Sequence, residues 1–242
     1  GHVLATDISP RILALAAEKL HRAGFGAAQT CVADAQALKL GQAPHALRVV
    51  AGFDAAVCRL GLMLCPDPLA ALTEALQALR PGGRFGALVF SAPQANPCIT
   101  ITVSAARRHA GLAPATAVEP GSLLSLGQPG LMAGLMERAG FGDIDIRPMA
   151  APMRLSEVGE YIRFLRNAAS PIMALLACLS TQAQAAAWAD IEGQLDRFTR
   201  DGAWVGPNEL LLCSASRPHE DRADAIGTAV SIRTSQPAPT RG

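Results

Sequence analysis

The sequence contains few aromatic side chains and little net charge. One tyrosine, two tryptophans and seven phenylalanines in 242 residues supply too few of the aromatic platforms on which single-stranded nucleic acids stack. The net charge is +1, and no basic stripe interleaves with the aromatic residues. We therefore expect no nucleic acid among the partners of this chain.

Clusters of metal-binding or disulfide-forming residues are also missing from the sequence. The six cysteines show no C-x-x-C pair, and the five histidines form no group at metal-ligand spacing. The cysteines are Cys31, Cys58, Cys65, Cys98, Cys178 and Cys213. We expect no metal and no disulfides, with thiols that serve as small core residues of a cytoplasmic protein.

Long apolar runs are absent as well. The longest strongly apolar stretch, 172–179, is far shorter than the roughly 20 residues that a membrane span needs. No signal peptide is visible, and no G-x-S-x-G string indicates a serine hydrolase. Half of the residues are nevertheless hydrophobic and 17% are charged, which favours a folded domain with a proper core.

The residues that are present alternate between the strand and helix patterns. Apolar strand segments at 2–6, 27–33, 53–58 and 84–90 are separated by helical patterns, of which those opening at Ser9-Pro10 and Asp67-Pro68 are the clearest. Alternation of this kind predicts βαβ units, and hence an α/β fold with a mostly parallel sheet and helices on both faces.

Polar residues follow these strands where open α/β sheets bind ligands. Asp7 ends the first strand and could accept hydrogen bonds from two ribose hydroxyls, or it could complement the dipole of the helix after it. Asp34 follows the second strand, where a simple turn aspartate is the alternative. Arg59 follows the third strand, with a surface salt bridge as its alternative. Asp54, at the start of that strand, is expected to bond backbone N–H groups and to be structural.

Four sequence strings, in order, resemble a known family: residues 1–7 (Gly-His-Val-Leu-Ala-Thr-Asp), 32–35 (Val-Ala-Asp-Ala), 53–59 (Phe-Asp-Ala-Ala-Val-Cys-Arg) and 79–85 (Leu-Arg-Pro-Gly-Gly-Arg-Phe). They are similar to the second through fifth strand units of class I S-adenosylmethionine-dependent methyltransferases. The specific resemblance is to the ubiquinone/menaquinone C-methyltransferase-like branch, methyltransferase type 11.

The resemblance implies a Rossmann-like fold with a small helical cap, S-adenosyl-L-methionine as cofactor, and methyl transfer to a small, apolar or aromatic acceptor. It implies that Asp7 binds the ribose of the cofactor and that Ile8 also belongs to the cofactor-binding residues. By the same resemblance, Asp34 accepts from the adenine amine, the backbone N–H of Ala35 meets a ring nitrogen, and Arg59 lines the pocket. Met63 and Leu64 suggest an apolar acceptor. No catalytic residue is assigned, because an activated methyl donor requires mainly alignment of the reactants.

The first strand of that family and its glycine-rich loop have no counterpart in this sequence. In the family this strand lies between the two that here begin at His2 and Phe53. We therefore expect these two strands to lack their shared neighbour, and the chain alone to have low stability and weak cofactor binding.

The resemblance also suggests a domain plan. Residues 1–216 form the methyltransferase domain, with substrate-side insertions at 93–125 and 156–201, and 217–242 form a flexible tail. The segment 209–216 is expected to be an antiparallel strand at the edge of the sheet. Two other functions stay open: a non-enzymatic remnant or partner-dependent module, and a nicotinamide-dependent oxidoreductase. The second is disfavoured because Tyr161 is the only tyrosine and no Tyr-x-x-x-Lys string occurs.

Overall fold

A computed structural model describes residues 1–38, 52–114 and 118–219. The strands are β1 (Val3–Asp7), β2 (Ala28–Val32), β3 (Phe53–Arg59), β4 (Leu79–Phe90), β5 (Gly142–Ala150), β6 (Met153–Leu155), β7 (Thr199–Arg200), β8 (Ala203–Gly206) and β9 (Glu209–Ser216). The helices are α1 (Pro10–Arg22), α2 (Pro68–Ala78), α3 (Pro97–His109), α4 (Leu131–Ala139), α5 (Val158–Ala168), α6 (Ser170–Ala177) and α7 (Thr181–Leu195). None of these helices combines the length and apolarity that crossing a membrane requires.

The predicted helix starts are confirmed by their caps. Ser9 Oγ accepts a hydrogen bond from the N–H of Ile12 at 3.4 Å, and Asp67 Oδ1 accepts one from the N–H of Ala70 at 3.0 Å. A proline follows each cap at the first helical position, where its missing N–H costs nothing. These caps fix where the chain turns from a strand end into the next helix.

The strands form three sheets: β1–β2, β3–β4–β9–β5 and β6–β8–β7. β1 and β2 are parallel, and so are β3 and β4. β9 is antiparallel to both β4 and β5, so that β3, β4 and β5 all run in the same direction. This mixed arrangement with a mostly parallel strand direction confirms the predicted α/β, Rossmann-like fold.

The prediction that 209–216 lies at the sheet edge is wrong. β9 lies between β4 and β5, and the edge strand is β5. The physical reason is composition, because the alternate residues Leu211, Cys213 and Ala215 of β9 pack on the apolar core. β5 instead carries Asp143, Asp145 and Arg147 on its outward side, and charges are tolerated at an exposed edge.

One core lies on a single face of the four-stranded sheet. Alternate residues of β4 and β9 point into it, and α2 and α4 cover it. Its most buried members include Leu72 of α2, Val89 of β4 and Met136 of α4, all with no exposed surface. Burial of one such side chain is worth about 1.5–3 kcal/mol, so this core anchors β3, β4, β5 and β9.

A second core joins the two segments that were predicted as insertions. It is built from α3, α5, α6 and α7 around Trp204. The indole Nε1–H of Trp204 donates to the carbonyl oxygen of Leu195 at 2.9 Å, and its ring stacks on Tyr161 with the centroids 4.7 Å apart. These helices therefore form a packed body with its own apolar interior.

The opposite face of the four-stranded sheet has no helix over it among the residues described. Val57, in the middle of β3, is 82% exposed, and Leu212 and Met149 are exposed on the same face. Within the described chain β1 pairs only with β2, and β3 pairs only with β4.

The predicted tail begins later than Arg217. The N–H of Gly82 donates to the carbonyl oxygen of Arg217 at 2.9 Å, and the N–H of Arg217 donates to that of Gly83 at 2.8 Å. The guanidinium of Arg217 also donates to the carbonyl of Leu79 at 2.7 Å. Residue 217 thus continues the pairing of β9 with β4, and residues 220–242 of the predicted tail lie outside the described residues.

Candidate functional site

Asp7 occupies the last position of β1, as the sequence predicted. It is half-buried and lies opposite Val32 of β2. Its Oδ1 accepts a hydrogen bond from the N–H of Ser9 at 2.7 Å, which fixes the carboxylate over the turn into α1. No other described donor contacts it, so the second carboxylate oxygen is open to a hydroxyl ligand. The following residue, Ile8, is 72% exposed beside it.

Asp34 lies at the same edge as Asp7, because the N–H of Ala33 donates to the carbonyl of Asp7 at 3.1 Å. Its Oδ1 accepts from the N–H of Gln36 at 2.9 Å and from the Gln36 side-chain amide at 3.2 Å. These bonds, first from the backbone and then from the side chain of Gln36, lower the pKa of the Asp34 carboxyl. The carboxylate is exposed and charged, and Oδ2 has only a long 3.4 Å contact.

Ala35 begins the short 3₁₀ turn 35–37 that Asp34 caps. Its side chain packs against the main core, which holds the turn in place. Within the described ranges, the backbone N–H of Ala35 has no hydrogen-bond acceptor. A fixed, unpaired donor next to a carboxylate is the pairing that an adenine edge requires, since the ring presents an amine donor beside a nitrogen acceptor.

Gln36 was not singled out by the sequence, yet it ties this turn to α2. Its Oε1 accepts from the N–H of Asp67 at 2.7 Å, while its amide group donates to Asp34. Asp67 in turn caps α2. Gln36 therefore fixes Asp34 relative to the helix that covers the core, across 31 residues of chain.

Arg59 is the last residue of β3, in register with Leu88 of β4. The structure places its side chain at the exposed surface and gives it no ion pair with Asp34 or with any other described carboxylate. The alternative of a surface salt bridge is therefore not seen among the described residues, and the pocket-lining role of Arg59 stays a prediction. Leu60, which follows, has a left-handed backbone (φ 56°), and this reverses the chain directly after the strand end.

Several neighbouring side chains turn out to be structural. Met63, suggested as lining an apolar acceptor site, is a core residue with 1% exposure, whereas Leu64 is half exposed.

Asp54 does not bond backbone groups. It pairs with Arg80, with its Oδ1 2.7 Å from Nε. His109 is half-buried, and its Nε2 lies 2.9 Å from Asp190 Oδ2.

The thiols near the site are protonated core groups. Burial raises the pKa of Cys58 and of Cys65, and it raises the pKa of Cys98 and Cys213 to about 11. Such thiols are poor nucleophiles at neutral pH. No group of three or more potential metal ligands comes together in residues 1–38, 52–114 and 118–219.

Comparison with known proteins agrees with this geometry. A family model described as a methyltransferase domain matches residues 1–87, the part of the chain that holds Asp7, Asp34 and Arg59. Residues 1–87 thus match a methyltransferase domain. The prediction of a methyltransferase is confirmed. A search of curated protein sequences gave no match.

Solved structures share the methyltransferase fold with this chain. Protein YcgJ from Bacillus subtilis is 14% identical with a TM-score of 0.55, over 90% of this chain and 83% of that one. Protein BH2331 from Bacillus halodurans is 16% identical with a TM-score of 0.54, over 90% and 84%. Phosphoethanolamine N-methyltransferase 2 from Haemonchus contortus, solved with S-adenosylhomocysteine, is 16% identical with a TM-score of 0.50, over 90% and 44%.

The residues at the strand ends fit an adenosine-containing cofactor. Asp7 offers an open acceptor for hydroxyl groups, and Ala35, in the turn after the neighbouring strand, offers an unpaired N–H donor. Asp34 adds an acceptor beside that donor. The side chain of Arg59, exposed at the end of β3, supplies a cation without a described partner.

Proposed function

We propose that this chain binds S-adenosylmethionine at the carboxyl ends of β1, β2 and β3 and transfers its methyl group to a small, apolar or aromatic acceptor. The observation that carries this proposal is the edge formed by Asp7, Asp34 and the unpaired N–H of Ala35. Residues 1–216 constitute the methyltransferase domain in this proposal, as a member of the ubiquinone/menaquinone C-methyltransferase-like branch.

Asp7 binds the ribose of the cofactor. Its Oδ1 is already held by the N–H of Ser9, so the carboxylate is oriented before the ligand arrives. The other oxygen accepts from a ribose hydroxyl, and a hydrogen bond to a charged group is worth about 1.5–3 kcal/mol. Ile8, exposed next to it, supplies apolar surface at the same position.

Asp34 and Ala35 read the adenine ring. The N–H of Ala35 donates to a ring nitrogen, and Asp34 Oδ2 accepts from the exocyclic amine. Gln36 acts as a positioning residue, because it holds both Asp34 and the first turn of α2. Arg59, at the next strand end, faces the negatively charged carboxylate at the methionine end of the cofactor.

S-adenosylmethionine supplies a methyl group that is already activated by its sulfonium. The contribution of the protein is therefore to bind, to orient and to exclude water. No described side chain needs to act as a nucleophile or a base, in agreement with the protonated thiols of Cys58 and Cys65 near the site.

Calorimetric titration with S-adenosylhomocysteine tests the proposal. We expect weak binding by this chain and tighter binding by a version that carries, ahead of residue 1, a strand and glycine-rich loop of the family type. Asp7→Asn should weaken binding at least about tenfold in the tighter version, because one charge-assisted bond is lost. Asp54→Asn is the matched control, since that carboxylate pairs with Arg80 instead, and it should leave the affinity unchanged.

The alternatives predict other results. Failure of both versions to bind S-adenosylhomocysteine would overturn the proposal in favour of a non-enzymatic module. Binding of NADH in preference to S-adenosylhomocysteine would favour an oxidoreductase. The structure offers no support for the second, because Tyr161 is enclosed by the helical core and burial raises the pKa of its hydroxyl.

A further inference from the structure

A cavity of about 340 Å³ lies at the carboxyl end of β4, apart from the cofactor edge. Its apolar wall is formed by Met132 of α4, Ile146 and Pro148 of β5, and Leu211 of β9. Ser91, Gln128 and Glu209 contribute the polar side chains of the lining. A volume of this size falls at the lower end of the range for small-molecule sites.

The cavity lies beyond the same end of β4 that pairs with the end of β3 at Arg59. Leu88 of β4 is in register with Arg59 and accepts from the N–H of Leu60 at 2.9 Å. Ser91 follows three positions later, about 10 Å further along the strand direction. A ligand in the cavity would therefore lie on the side of the sheet where open α/β proteins bind ligands.

The floor of the cavity is held by a buried polar network. Asn96 has no exposed surface. Its Nδ2 donates to Ser91 Oγ at 3.1 Å, and its Oδ1 accepts from the N–H of Glu209 at 3.0 Å. The N–H of Ser91 donates to the carbonyl of Glu209, also at 3.0 Å. These bonds lock the end of β4 to the start of β9, so the cavity is preformed.

The backbone on the facing side is equally constrained. Gly127 lies so close to Ser91 that a Cβ added at 127 would be 2.2 Å from the carbonyl oxygen of Ser91. The loop that leads into α4 therefore packs directly on the strand end. This close approach sets the depth of the cavity.

The carboxylate of Glu209 has no partner within the described ranges. Glu209 and Leu211 are two residues apart on β9 and so point to the same face of the sheet, the face that also carries Ile146 and Pro148. A half-buried carboxylate beside apolar side chains gains most from a cation that also brings apolar surface.

We propose that this cavity binds a small ligand that joins a protonated amine to an apolar body, with the amine on Glu209 and the body against Met132, Ile146 and Leu211. The role of that ligand as the methyl acceptor rests on the proposed function, whereas the existence of the amine-binding site does not depend on it.

The start of α4, in the same cavity, favours a ligand of the opposite charge. Helix α4 begins at Gly130 with no side-chain cap, and free N–H groups at a helix start favour an anion. The sign of the ligand charge is therefore the point to test.

Amide chemical-shift titrations with three probes of matched shape make that test. The probes are benzylamine, benzyl alcohol and benzoate at pH 7, and the reporters are the amides of Gly127, Gly130 and Ala133. We expect benzylamine to shift these amides at lower concentration than the other two. Glu209→Gln should weaken benzylamine binding at least about fivefold. Glu137→Gln, on the exposed face of α4, is the control and should have no effect.

Two results would overturn the proposal: preferential binding of benzoate, or equal benzylamine binding by the Glu209→Gln variant and the original chain. S-adenosylhomocysteine titration of the same samples separates this proposal from the proposed function. Loss of amine binding in Glu209→Gln with unchanged cofactor affinity supports the amine site. If the chain binds benzylamine but not S-adenosylhomocysteine, the amine site is supported and only its role in methyl transfer is contradicted.

Discussion

The β1–α1–β2 unit and the four-stranded sheet are built from the same kind of strand–helix pattern, but they are packed very differently. In the β1–α1–β2 unit Leu13 is the single buried hydrophobic residue, while the core over the four-stranded sheet encloses residues from β4, β9, α2 and α4. Two of the proposed cofactor contacts, Asp7 and Asp34, belong to the sparsely packed unit. If the proposed contacts bind the cofactor, its affinity and the stability of the fold depend on different parts of the chain.

Hydrogen exchange should show this contrast most strongly. We expect the amides of β1 and β2 to exchange at least about a hundredfold faster than those of β4 and β9, because a two-stranded sheet opens locally while core strands exchange through global unfolding. Mass spectrometry or NMR of exchange at neutral pH measures the difference. Similar protection of the two regions would show that they unfold together, contrary to this comparison.

Paired leucine truncations extend the comparison to stability. Leu72→Ala, in the core, should lower the free energy of unfolding by about 3–5 kcal/mol, since fully enclosed leucines leave a cavity when truncated. Leu13→Ala should cost about 2 kcal/mol or less, because few neighbours surround α1. Urea unfolding of both variants gives the two values. An equal or larger cost at Leu13 would contradict the difference in packing.

Asn96 tests whether the sheet and the helical core are joined by its side chain. Asn96→Ala should cost about 2–3 kcal/mol, because the buried N–H of Glu209 and the hydroxyl of Ser91 lose their partner. Asn167→Ala is the control, since that amide donates at the exposed surface of α5. The urea midpoints of the two variants should differ clearly. Equal midpoints would show that the Asn96 side chain does not connect the sheet to the helical core.

The smallest effect is expected at Asp190, where α7 meets α3. Burial acts to raise the pKa of its carboxyl, but the hydrogen bonds from Gln194, Arg108 and His109 outweigh it, and the pKa is lowered. A lowered folded-state pKa gives stability that is present above the unfolded-state value of 3.8 and is lost as the pH falls through the folded-state value.

Asp190→Asn should therefore remove part of the acid dependence below about pH 4 and cost less than about 1 kcal/mol at pH 7, as for other exposed ion pairs. Thermal unfolding between pH 2.5 and 7 measures it. An unchanged slope of stability against pH would show that the carboxylate contributes nothing in acid.

Local pattern predicted much of this structure. The caps at Ser9 and Asp67 and the strand ends at Asp7 and Asp34 all follow from short-range signals. The order of strands does not, because β9 is placed by pairing with residues more than a hundred positions away, such as Arg84 with Ser216. The apolar residues of β9 and the charges of β5 agree with an interior and an edge place, but they do not identify the neighbouring strands.

The candidate site shows the same division. The positions of its carboxylates were predicted because they end strands, but Gln36 was not found. Its side chain is placed by a bond to Asp67 on another element, and a glutamine in a loop carries no pattern of its own. The exposure of Arg59 follows from the alternation of β3, which points residues 55, 57 and 59 away from the core.

The contact between Gly127 and Ser91 also limits how this protein can diversify. In a library of variants, position 127 should accept no side chain without displacing the end of β4, although it lies in a loop where substitutions are usually tolerated. Neighbouring positions 128, 129 and 133 line the same cavity without that restriction. New ligand preferences would therefore evolve through those three residues, around a glycine that stays fixed.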